Sequence, residues 1–78
     1  MEEQIRDLIA RACGTEAALA PGVDLLERGF LDSLALIELL EGLEDLGIEL
    51  QPTQVPKSRL RTVEGILALC REAAQGTL

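Results

Sequence analysis

Asp32-Ser33-Leu34 opens the most leucine-rich stretch of the chain and sets a hydroxyl beside a carboxylate, with Glu38, Glu41 and Asp45 further along. On a helix, Leu34, Glu38, Glu41 and Asp45 follow the i, i+4, i+7, i+11 spacing of one stripe, with Ile37 at its border. A serine at a helix N-terminus places its oxygen beside unpaired N–H groups and the positive end of the helix dipole. A phosphate ester on Ser33 would be well accommodated there. Ser and Asp are also favoured helix caps, so the spacing alone leaves a purely structural Ser33 open. Histidine is absent, which removes the usual general base near neutral pH. Ser33 thus lacks an activating partner, any phosphoryl group on it would come from another enzyme, and no catalytic residue is assigned.

The elements that must position these residues are helices. Ile5, Leu8, Ile9, Ala12 and Cys13 recur at helical spacing and Gly14 is a stop, which predicts a helix from about Glu2 to Cys13. Gly14 to Asp32 has no sustained period and contains Pro21-Gly22 and Gly29, so it reads as a long loop. Its Val23, Leu25, Leu26, Phe30 and Leu31 are apolar enough to lie against the core. A second helix is expected from Ser33 or Leu34 to Leu46, with Gly47 as its C-terminal cap. Its inner face is Ala35, Leu36, Leu39, Leu40, Leu43 and Leu46, and Leu34 projects outward. A single exposed leucine is ordinary, but one placed a turn before three carboxylates also suits a docking face. Pro52 and Pro56 leave room only for a short turn at Pro56 to Leu60. Thr62 is a good N-cap for a last helix whose stripe is Val63, Ile66, Leu67, Cys70 and Ala74.

Composition agrees with packed helices. The 78 residues suit one domain, residues 1–78, and a chain this short buries only about 60% of its unfolded surface. Phe30 is the only aromatic residue, so the core must be Leu, Ile, Val and Ala. The fold class expected is all-α, a small bundle of three main helices and one short helix.

Charge narrows the partners. Asp24 to Glu49 holds eight acids against Arg28 alone, so the whole net charge of −7 resides in the middle third. Such a surface repels nucleic acid and anionic lipid and suits a basic protein partner. Lys57, Arg59 and Arg61 form the only basic concentration and read as solvated decoration of a helix end. Cys13 and Cys70 are far apart, without a CxxC, and read as two small buried apolar side chains; no metal site is expected. Met1 is followed by Glu2-Glu3 rather than a basic and apolar leader, and no apolar run can span a bilayer. A reduced, cytoplasmic monomer without membrane insertion is the expectation.

Gly29-Phe30-Leu31-Asp32-Ser33-Leu34, the acidic leucine-rich helix after it, Gly47-Ile48-Glu49-Leu50, Pro52 and Thr62-Val63 together resemble an acyl carrier protein over nearly the whole chain. The resemblance implies a 4′-phosphopantetheine arm on Ser33, with Asp32 and Leu34 as its flanking residues. It also implies transfer of that arm from coenzyme A by a phosphopantetheinyl transferase. The arm's thiol would hold acyl or aminoacyl groups as thioesters. A loading ligase and acyltransferase or synthase enzymes, as in fatty acid or polyketide biosynthesis, would act on them. The carrier itself is not an enzyme, and Leu34, Ile37, Glu38, Glu41 and Asp45 form its expected partner-binding face. Two residues, Phe30-Leu31, separate Gly29 from Asp32-Ser33, and the Leu43 to Ile48 segment is short by one residue. The first feature is similar to D-alanyl and stand-alone biosynthetic carriers, and both depart from the housekeeping fatty-acid type. A D-alanyl or aminoacyl carrier, or an unmodified helical interaction module, is the alternative.

Overall fold

Three α-helices carry the fold in the computed structural model, which describes residues 2–51 and 55–75. They are α1 (Glu2–Cys13), α2 (Ser33–Asp45) and α3 (Val63–Gln75). One-turn 3₁₀ segments, Glu16–Leu19 and Lys57–Leu60, lie in the connections, and no strand occurs among the described residues. The all-α expectation of three long helices and a short turn before the last one therefore holds. The Glu16–Leu19 turn is an addition within a segment read as loop. Four residues are too few to show a helical period, although Thr15 caps them through its Oγ1, which accepts the Ala17 N–H at 3.1 Å. Pro52 lies outside the described residues.

Each helix contributes one apolar stripe to a common core. Ile9 of α1, Leu39 and Leu43 of α2, and Ile66 and Cys70 of α3 are its most enclosed side chains, together with Leu25 from the long connection. Burying a leucine or isoleucine contributes about 1.5–3 kcal/mol, so these few residues outweigh any surface contact. The α2 stripe falls where its spacing predicts: Ala35, Leu39, Leu40 and Leu43 are buried, and Leu36 and Leu46 are half-buried at its edges. Two assignments, Ala74 and Cys13, are corrected and Leu69 is added to the core. Ala74 is exposed, Leu69 is buried on the side of α3 that faces Leu50 and Val55, and Cys13 is only half-buried because α1 ends at the surface.

The start of α1 lies beside the end of α2, since Gln4, Asp7 and Leu8 share a shallow groove with Gly42, Asp45 and Leu46. The end of α1 is thereby brought toward the start of α2. Two caps fix the later helices. Gly47 N–H donates to the Glu44 carbonyl and Ile48 N–H to the Leu43 carbonyl, both at 2.9 Å, and Ile48 folds back into the core. Thr62 Oγ1 accepts the Gly65 N–H at 3.0 Å and starts α3.

Candidate functional site

The segment leading into Ser33 is tied down at both ends. Asp24 Oδ1 accepts the N–H groups of Leu26 and Glu27 at 3.1 and 3.0 Å. Arg61 Nη1 donates to Asp24 Oδ2 at 2.8 Å, and Leu25 N–H donates to the Arg61 carbonyl at 2.6 Å. The Glu27 amide above all, with the Arg61 guanidinium and the Leu26 amide adding to it, holds the Asp24 carboxyl below its usual value against the opposing effect of burial. The Leu25 carbonyl then accepts both Phe30 N–H and Leu31 N–H, at 2.9 and 3.1 Å. Such a reversal needs one residue at positive φ, and Gly29 supplies it at +72°. Leu25 and Leu31 are both buried, so the chain reaches Asp32 from a fixed point.

Asp32 is extended and is the N-cap of α2: its Oδ1 accepts the Ala35 N–H at 2.8 Å and its carbonyl accepts Leu36 N–H at 2.9 Å. Ser33 is consequently the first residue inside the helix. Its side chain is exposed, and its hydroxyl makes no hydrogen bond among the described residues. The two readings left open by the spacing separate here, because the cap is Asp32 and the serine is left unengaged.

A cleft of ≈ 370 Å³ adjoins the serine. Asp32, Ser33 and Lys57 line it together with the apolar Leu26, Leu31, Leu36 and Leu60. Lys57 and Arg61 are exposed and Arg59 is half-buried, in keeping with the solvated decoration expected. Arg59 pairs with Glu72 and Arg61 with Asp24, while Lys57 lines the cleft. Sequence reasoning missed Asp24 and Lys57 as contributors to this region. Asp24-Leu-Leu-Glu27 carries a capping pattern that could have marked the first. Nothing local marks the second, since its place depends on how the chain returns to α2.

On the outer side of α2, Leu34 is 66% exposed and Ile37 53%, the two large apolar side chains singled out by their exposure. Glu38, Glu41 and Asp45 are exposed on the same helix. Ile37, expected at the border of the stripe, is exposed beside it. Asp32 and Ser33 stand at the N-terminal end of this helix, so the cleft and the outer surface share one element. Neither cysteine takes part. Burial, with a smaller contribution from the Asp32 carboxylate, pushes the Cys13 thiol up, and burial pushes Cys70 up to about 11. Among the described residues no group of acids and cysteines is arranged to hold a metal ion.

Residues 3–70 match the family described as the phosphopantetheine attachment site, which covers most of the chain and all of the site just described. The chain belongs to that family. It is also 30% identical over 74 residues to the D-alanyl carrier protein of Abiotrophia defectiva, covering 92% of this chain and 94% of the relative. No solved structure gives a significant match. The resemblance stated from the sequence is therefore correct. The protein is a carrier that tethers acyl or aminoacyl groups on a covalently attached 4′-phosphopantetheine, and it is not itself a catalyst. Carriers of this kind work with transferases and ligases. Among the described residues no helix is long and apolar enough to cross a membrane.

Proposed function

We propose that Ser33 bears the 4′-phosphopantetheine arm and that residues 1–78 act as one carrier domain. The observation that carries this reading is the division of labour between neighbours: Asp32 caps α2, so the Ser33 hydroxyl is exposed and uncommitted. In loading, the Ser33 oxygen bonds to phosphorus as the pyrophosphate bond of coenzyme A breaks. The adenosine bisphosphate leaves, and the hydroxyl proton passes to the transferase. When bound, the arm supplies a terminal thiol that holds the cargo as a thioester. The chain's own residues fix where the arm is rooted, through the Asp24–Arg61 contact, the buried Leu31 and the Asp32 cap. Asp32 and Leu34 flank the attachment point.

The partners proposed are a phosphopantetheinyl transferase, a loading ligase, and acyltransferase or synthase enzymes, docking on Leu34, Ile37, Glu38, Glu41 and Asp45. Exposed leucine and isoleucine provide the apolar contact, and the acids steer a basic partner. The arm raises the effective concentration of its cargo at each partner. Loading draws on coenzyme A, which is in keeping with a cytoplasmic protein, and the proposed carrier is a monomer. Among cargoes, the likeness to a D-alanyl carrier protein supports an aminoacyl group, and D-alanine is the first to offer a ligase.

The test is intact mass after incubation with coenzyme A, Mg²⁺ and a broad-specificity transferase. The wild-type chain gains one phosphopantetheinyl group and Ser33→Ala gains none. A gain that persists in Ser33→Ala rules out the site.

A further inference from the structure

Lys57 differs from the two arginines of its segment. Arg59 is taken up by Glu72 and Arg61 by Asp24, whereas the Lys57 ammonium has no carboxylate partner among the described residues, and Lys57 is one of the residues lining the cleft beside Ser33. The one carboxylate on that cleft, Asp32, already accepts the Ala35 N–H. Lys57 is also well placed by its backbone. Pro56 precedes it at φ −65°, and Leu60, at the other end of the turn, is buried against the core.

We propose that Lys57 pairs with the phosphodiester borne on Ser33 and seats the base of the arm against Leu36 and Leu60. The inference rests on Ser33 being the attachment residue. Its first support is charge. A phosphodiester adds a negative charge next to Asp32, within a third of the chain that holds eight acids and one base. That base, Arg28, has its guanidinium over the Phe30 ring, 5.6 Å from the centroid. The N-terminus of α2 offsets part of the repulsion, and Lys57 is the cation on the cleft that can offset more. The second support is shape and polarity. In pantetheine a single methylene links the phosphate oxygen to a quaternary carbon that carries two methyl groups, and the cleft presents four leucines in ≈ 370 Å³. A lysine among the lining residues, together with four leucines, matches a phosphate followed by a branched hydrocarbon. Lys57 is a positioning residue in this proposal: it directs the first bonds of the arm toward the Leu36 and Leu60 side, away from the acidic outer surface of α2.

The experiment uses the full chain, loaded with the arm and checked by intact mass, as wild type and as Lys57→Met. Phosphorus NMR reads the phosphodiester, and proton NOEs read the two methyl groups of the arm against the Leu36 and Leu60 methyls. Thermal melts confirm that both proteins fold. The wild type is expected to show the NOEs. In Lys57→Met they are lost and the phosphorus line moves, while loading still reaches completion. A phosphorus line and NOE pattern unchanged by Lys57→Met, in protein whose mass shows the arm on Ser33, overturns the role of Lys57 and leaves the carrier reading intact. An arm found on another residue overturns both. Titrating the unloaded protein with inorganic phosphate separates the two sources of phosphate. No saturable shift at Lys57 is expected, and a saturable one would mean that the site serves a free anion instead.

Discussion

Arg61 holds Asp24 from two directions: its Nη1 donates to Asp24 Oδ2 at 2.8 Å, and its carbonyl oxygen accepts the N–H of the next residue, Leu25, at 2.6 Å. The contact joins the middle of the long connection to the residue just before Thr62, the cap of α3, and so sets the path that ends at Ser33. Its dependence on the Asp24 charge gives the first prediction. The folded-state pKa of Asp24 lies below the ordinary 3.8, so its contribution to stability is full above that value and is lost as pH falls through the folded pKa below it. Asp24→Asn should lower the melting temperature at neutral pH and make the most acidic part of the melting curve flatter. Melts of both proteins across the acid range check this. Parallel curves would mean that the carboxylate charge does not matter.

A second prediction separates Asp32 from Ser33. Asp32→Ala removes the N-cap and should cost about 0.5–2 kcal/mol in urea unfolding. Ser33→Ala removes a hydroxyl without a partner among the described residues and should stay within about 0.5 kcal/mol of wild type. The reverse order would show that the serine, not the aspartate, caps α2.

Gly65 tests the seating of the turn that carries Lys57. A Cβ at Gly65 would run into the carbonyl of Arg59, so α3 and the Lys57–Leu60 turn can approach this closely only with glycine there. Gly65→Ala gains about 1 kcal/mol of helix propensity, yet should be net destabilising by roughly 1–3 kcal/mol through the forced backbone shift. It should also move the amide resonances of Lys57 to Leu60. Increased stability with those resonances unmoved would show that the turn has slack.

The outer surface of α2 gives the fourth prediction. Glu38→Lys and Glu41→Lys should slow transferase loading of Ser33, most strongly at low ionic strength, because steering charges act on the encounter rate. Leu34→Ala should slow the same step with little salt dependence, by shortening the complex. With Leu34 66% exposed, that variant should melt within about 0.5 kcal/mol of wild type, where a buried leucine would cost about 2–5 kcal/mol. Loading rates against salt, alongside melts of the three variants, measure both effects.

What could be read along the sequence was whatever depends on near neighbours. The spacing of Leu36, Leu39, Leu40 and Leu43 orients α2, Gly47 ends it, and Thr62 starts α3, because helix periods and caps are local. The outward stripe from Leu34 to Asp45 followed from the same arithmetic. The turn at Glu16–Leu19 was not legible, since one 3₁₀ turn buries only Ala18. Leu69 was left out of the α3 stripe because Leu50 and Val55 cover one flank of that helix, which no period of α3 itself records, and Ala74, included in it, is exposed. That Lys57 lines the cleft was not legible for a related reason. Its place on the cleft depends on the chain passing back beside the start of α2, a tertiary contact between residues remote in sequence.

The central claim is that Ser33 is where the arm is rooted, and locating the modification within the loaded chain tests it most directly. Fragmentation mass spectrometry of wild-type protein, loaded from coenzyme A by a broad-specificity transferase, should find the phosphopantetheinyl group on Ser33 and on no other serine or threonine. A group found on Ser58 or a threonine, or a chain that stays unmodified while a control carrier loads completely, would contradict it.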